Sequence, residues 1–95
     1  MTQAAIKQVA LNVSAATTEL VIRILAQFPQ AQIRSRSIPL SNEDISIDVV
    51  LPMSMEEIYQ VREWIYELVI ELQERYDLLI QVSAVPQEGY VSINP

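Results

Sequence analysis

The sequence predicts an α+β fold: a ferredoxin-like β-α-β-β-α-β two-layer sandwich with room for a short fifth strand at the C-terminus. Three observations predict it. Apolar and polar residues alternate through Lys7–Val13, Ile45–Leu51 and Leu78–Val85, the period of two of a half-buried strand. Ala15–Phe28 and the stretch after Ser54 instead repeat apolar residues at helical spacing. Prolines and the single glycine fall at the joints between these segments.

The first segment sets Val9, Leu11 and Val13 against Gln8, Ala10 and Asn12, which reads as a strand. A helix also fits, through Ile6, Val9, Ala10 and Val13, and would turn the domain into α-β-β-α-β; the alternation favours the strand. Ala15–Phe28 carries Leu20, Val21, Ile24, Leu25 and Phe28 on one face, with Ser14 or Thr17 as its cap and Pro29 as its stop. Ile33–Ile38 reads as a polar edge strand, because Pro39 cannot donate to a central ladder. A turn at Ser41–Glu43 leads into Ile45–Leu51, the clearest strand, closed by Pro52.

Ser54, Met55, Glu56 and Glu57 form a capping box, in which Ser54 and Glu57 satisfy each other's free backbone donors. The helix that follows runs to Arg75 or Tyr76. Leu78, Ile80, Val82 and Ala84 make a last core strand, Pro86–Gly89 a turn, and Tyr90–Ile93 a short returning strand. No linker or low-complexity segment interrupts the 95 residues, so the whole chain, 1–95, is expected to be a single α+β domain.

Composition narrows function mostly by exclusion. Without histidine or cysteine, the chain holds no Ser-His-Asp or Cys-His arrangement and no zinc site of the usual kind. With Gly89 as the single glycine it builds no phosphate-cradling loop. Asp44 and Asp48 share a strand face, but four residues of strand separate them by about 13 Å, too far to ligate one magnesium ion. Arg34 and Arg36 also share a face; they suit either a phosphate or, with a hairpin turn near Ser41, cross-strand pairing with Asp48 and Ser46, and the net acidic charge favours the pairing. The net charge of −6 disfavours nucleic acid and anionic membrane surfaces. The central strands also lack the exposed aromatics that RNA-recognition sheets use. No apolar run approaches the roughly 20 residues of a membrane span, and Met1–Val13 lacks the basic start and apolar block of a signal peptide. The expectation is a cytoplasmic protein with no cofactor, no catalytic site and no metal.

The second helix carries more apolar surface than one core contact uses. On a 100° wheel, Ile58, Val61, Trp64, Ile65, Leu68, Val69 and Leu72 fill a broad core-facing arc, and Tyr59, Tyr66 and Ile70 form a separate stripe. The stripe either meets a partner, is covered by the C-terminal segment Tyr90–Ile93 folding back, or sits half exposed; contiguous apolar patches mark interfaces, and tyrosine suits them by joining apolar area to a polar tip. The reading is therefore a non-enzymatic protein-interaction or oligomerisation module, a small regulatory or adaptor subunit, with Tyr59, Tyr66 and Ile70 as its interface. Its partner is a second copy or another protein. The alternative is a small-molecule-sensing regulatory domain with its ligand held between subunits.

The Asp44–Asp48 spacing carries a direct test: isothermal calorimetry with magnesium or manganese should show no stoichiometric site of micromolar affinity, and such a site would overturn the reading of these carboxylates.

Overall fold

The computed structural model describes residues 3–35 and 42–87, with side chains from Gln8 onward. The element order is α1 (Gln3–Gln27), β1 (Gln32–Ser35), β2 (Ile45–Leu51), α2 (Met55–Tyr76) and β3 (Ile80–Pro86). The strands form one mixed sheet in the order β1-β2-β3. β1 runs antiparallel to β2, with Arg34 opposite Asp48, and β2 runs parallel to β3, with Ile45 opposite Ile80 and Val49 opposite Ala84.

This overturns the ferredoxin-like reading. Lys7–Val13 is helical, and α1 runs unbroken through the region where Ser14 and Thr17 were expected to cap it. The physical reason is legible afterwards. Nothing from Gln3 to Gln27 is glycine or proline, so nothing breaks the helix. The Asn12 side-chain amide also donates to the Tyr76 carbonyl at 3.2 Å, satisfying an orphan acceptor at the end of α2. In the expected order a first strand enters between the two strands that α2 joins. With that segment helical, nothing separates them, so β2 and β3 pair directly and in parallel, as a βαβ unit. The sheet is mixed rather than antiparallel, and three strands are found among the described residues. The expected Tyr90–Ile93 strand, the Ser41 turn centre and Arg36 to Ile38 lie outside the described residues.

The later elements follow the sequence closely. β2 spans Ile45–Leu51 as predicted, and α2 begins at the predicted box: the Glu57 N–H donates to Ser54 Oγ, and Glu57 Oε1 accepts from the Ser54 N–H. α2 ends at Asp77, which takes the left-handed conformation (φ 53°) and donates its N–H to the Gln73 carbonyl. α1 stops before Pro29, where the Phe28 ring meets Trp64 of α2 edge to face at 5.4 Å.

One face of the sheet builds the core. Ile45, Ile47, Val49 and Leu51 of β2 and Ile80 and Ala84 of β3 meet Ile58, Val61, Ile65, Leu68 and Leu72 of α2. Ala16, Leu20 and Ile24 of α1 complete that cluster and are wholly buried. Each fully buried leucine or isoleucine contributes roughly 1.5–3 kcal/mol relative to exposure.

Outside that contact, charge clamps the two helices. Arg75 of α2 donates to Glu19 of α1 at 2.6 Å, Arg23 of α1 donates to Glu71 of α2 at 2.6 Å, and Arg75 also reaches Glu71 at 2.7 Å. The Tyr76 hydroxyl donates to Glu19 at 3.0 Å. These bonds, the Arg75 one foremost, hold the Glu19 carboxyl below its ordinary range, against the opposing effect of desolvation; the Arg23 bond does the same for Glu71. A carboxylate whose folded pKa is depressed adds stability above its unfolded pKa and loses it as pH falls through the folded value. Thermal unfolding should therefore show Tm falling as pH drops below about 4.3, the ordinary glutamate value. Glu19→Gln should lower Tm at neutral pH and flatten that acid limb, and added salt should shrink the difference between the two proteins, because the pairs are partly exposed.

Candidate docking groove

Among the described residues β3 has a strand partner on one side only, and the direction of its backbone groups follows from its hydrogen bonds. The Leu79 carbonyl accepts from the Asp44 and Ile45 N–H groups at 2.8 and 3.2 Å, and the Gln87 N–H donates to the Leu51 carbonyl at 2.8 Å. Odd-numbered residues thus address β2. By the alternation of a strand, the N–H and C=O groups of Ile80, Val82 and Ala84 point to the outer edge.

Two side chains from α2 reach that edge. Gln73 Oε1 accepts from the Ile80 N–H at 2.9 Å, and Arg62 donates from Nε and Nη2 to the Ala84 carbonyl at 3.1 and 2.9 Å. The helical and strand spacings match: Arg62 and Gln73 are three turns apart, about 16 Å, and Ala84 and Ile80 are about 13 Å apart. Between these two clips lie the Val82 N–H and C=O, and no described residue takes either. Charged and polar side chains at a sheet edge are a usual guard against unwanted pairing.

The clips leave a groove of about 460 Å³ between α2 and the edge, with Tyr66, Val69 and Ile70 on its helical wall and Ile80, Val82 and Ala84 on its strand wall. Tyr66 is 66% exposed and Ile70 37%, so the stripe read from the wheel stands clear of the core. Of the three predicted interface residues, the structure brings Tyr66 and Ile70 to the groove. Tyr59, 60% exposed, lies a turn beyond it, with its ring centroid 5.6 Å from the Arg62 guanidinium carbon. Sequence reasoning missed Arg62, Gln73 and the β3 edge. The signal was present, because Arg62 and Gln73 fall on the same side of the wheel as Tyr66, but their meaning depends on which strand lies beside α2.

The other sequence-predicted polar residues have structural partners. Asp44 accepts from the Leu79 N–H at 2.9 Å and closes the start of the β2–β3 ladder. Arg34 lies opposite Asp48 as expected and donates to Gln32 at 3.4 Å. Among the described residues, no group of three or more acidic side chains converges as a metal site would require. Shallower hollows around Phe28, Met53 and Trp64 include one titratable side chain, Glu57, which the capping box already engages. No protein family, curated protein or solved structure matches the chain.

If Gln73 is what occupies the Ile80 N–H, Gln73→Ala should leave α2 and the sheet intact by circular dichroism and speed hydrogen exchange at the Ile80 amide, with little change at Gln81, whose N–H addresses β2. Equal rates at Ile80 in both proteins would show that the clip does not form in solution.

Proposed function

We propose that this chain is a non-enzymatic protein-interaction module whose α2–β3 groove receives an extended segment of a partner protein as an added strand. One observation carries the proposal: the edge of β3 that no described strand pairs lies directly beside the exposed Tyr66–Ile70 stripe, so a single segment engages both. Strand addition draws affinity from main-chain hydrogen bonds and specificity from pockets for alternate side chains. Here Val82 supplies one donor and one acceptor, and Tyr66 and Ile70 supply an apolar wall for the side chains on one face. Arg62 and Gln73 hold the flanking edge groups until they yield Ala84 C=O and Ile80 N–H to the incoming backbone. Their withdrawal costs little net hydrogen bonding, because each group exchanges one partner for another.

The test is selection of short peptides from a displayed library against the intact chain, followed by fluorescence anisotropy with the selected peptide. Val82→Pro removes an outward N–H and no bond to β2, a position where an edge strand tolerates proline. It should weaken binding about tenfold or more, equivalent to about 1.4 kcal/mol. Tyr66→Glu should do the same with the fold unchanged by circular dichroism. Leu68→Glu, at a buried position, should instead unfold the domain. Failure to select any peptide, or a peptide indifferent to both Val82→Pro and Tyr66→Glu, would remove the proposal.

A further inference from the structure

α1 has a second apolar face, pointing away from the core. Ala16, Leu20 and Ile24 define its buried side. On the opposite side Leu11, Ala15, Thr18, Ile22 and Leu25 recur at intervals of four, three, four and three residues, the spacing of a helix–helix seam. All five are exposed, Leu11 by 64% and Ile22 by 61%. The polar group in this row is already satisfied: the Thr18 hydroxyl donates to the Ser14 carbonyl at 2.9 Å. Burying Thr18 therefore leaves no unpaired donor.

We infer that this back face of α1 is the seam on which a second copy of the chain packs its own α1. Charge points to that occupant. The chain carries a net −6, so two copies repel unless they meet on a neutral surface. From Gln8 to Gln27 the charged residues are Glu19 and Arg23, and both are turned to the α2 side in the ion-pair clamp. The seam is thus an uncharged strip on an acidic molecule, and it is self-complementary.

Shape points to the direction of pairing. The Asn12 to Tyr76 hydrogen bond and the buried Ala16 mark where α1 meets the body, and the helix before them carries Val9 and Leu11 exposed. The described molecule is correspondingly elongated, 59 Å by 23 Å by 19 Å. In an antiparallel pair the overhanging half of each helix lies along the body-supported half of the other. Leu11 then faces Ile22 of the second copy, and the small Ala15 faces Thr18 near the two-fold axis. A two-fold axis uses one patch twice and closes the assembly.

The same helix, over Gln8–Gln27, is long and apolar enough to cross a membrane by length and composition, contrary to the expectation from the sequence. The engagement of Glu19 and Arg23 with α2, and the burial of Leu20 and Ile24, favour a protein partner for the remaining face.

The experiment uses the full chain in sedimentation velocity across protein concentration, beside circular dichroism. The wild type should sediment as a dimer at the higher concentrations, and Leu11→Glu or Ile22→Glu should weaken dimerisation at least tenfold with helix content kept. Tyr66→Glu, which tests the groove, should leave the dimer intact, so the two proposals fail separately. Because the chain has no cysteine, Leu11→Cys and Ile22→Cys chains mixed under mild oxidation should form the mixed disulfide, with neither chain cross-linking to itself. A monomer at every concentration overturns the seam, self-linked Leu11→Cys overturns its antiparallel direction, and flotation of the wild type with neutral phosphatidylcholine vesicles, lost in Ile22→Glu, assigns the face to lipid instead.

Discussion

The direct parallel pairing of β2 with β3 is the constraint on which the other features depend. A parallel pair needs a crossover, so the chain must run back along the sheet between β2 and β3, and the 22-residue α2 does so against one face. The crossover places α2 along β3, where Arg62 and Gln73 reach the outer edge. It also leaves β3 with a neighbour on one side, since no described strand lies beyond it. The groove is therefore a by-product of topology: with a strand between β2 and β3, the α2 stripe would lie beside different backbone.

α1 stands in a different relation to this unit. It contributes Ala16, Leu20 and Ile24 to the core but no strand pairing, and it is fastened to α2 by the paired charges of Glu19, Arg23, Glu71 and Arg75. Exposed ion pairs each contribute little, typically 0–1 kcal/mol. Their main effect here is on orientation. They fix the rotation of α1 about its axis, because Glu19 and Arg23 reach α2 only when Leu20 and Ile24 face inward. That rotation sends Leu11, Ile22 and Leu25 outward.

Much of the fold was legible because several local signals agreed. β2 places Ile45, Ile47, Val49 and Leu51 at a period of two and is bounded by Pro52, and α2 opens with a reciprocal cap and sustains its apolar arc for six turns. Such agreement between patterning and end signals is what makes a segment readable. The exposed stripe was legible in part, since Tyr66 and Ile70 can be placed on a wheel without tertiary information. The clips were not, because a glutamine and an arginine on a helix acquire a role only from the carbonyl and amide they meet. β3's edge was hidden for the same reason: which side of a strand is open is a property of the sheet, not of the strand.

The segment read as a first strand, Lys7–Val13, is the most instructive. Val9, Leu11 and Val13 alternate, and alternation indicates a strand when one face of an element is buried. In α1, Val9 and Val13 lie four residues apart on the side that continues toward the core, and Leu11 lies on the opposite side with Ile22 and Leu25. A helix with two apolar faces mimics the period of a strand over a short window, because residues two apart fall about 200° from each other around the axis. Leu11 was thus the residue that produced the false alternation, and it is also the residue at the exposed end of the back face of α1. A helix with a single buried face would have carried a polar residue there and been read correctly. The misreading and the exposed surface have one origin: α1 has more apolar circumference than the described body of the chain covers.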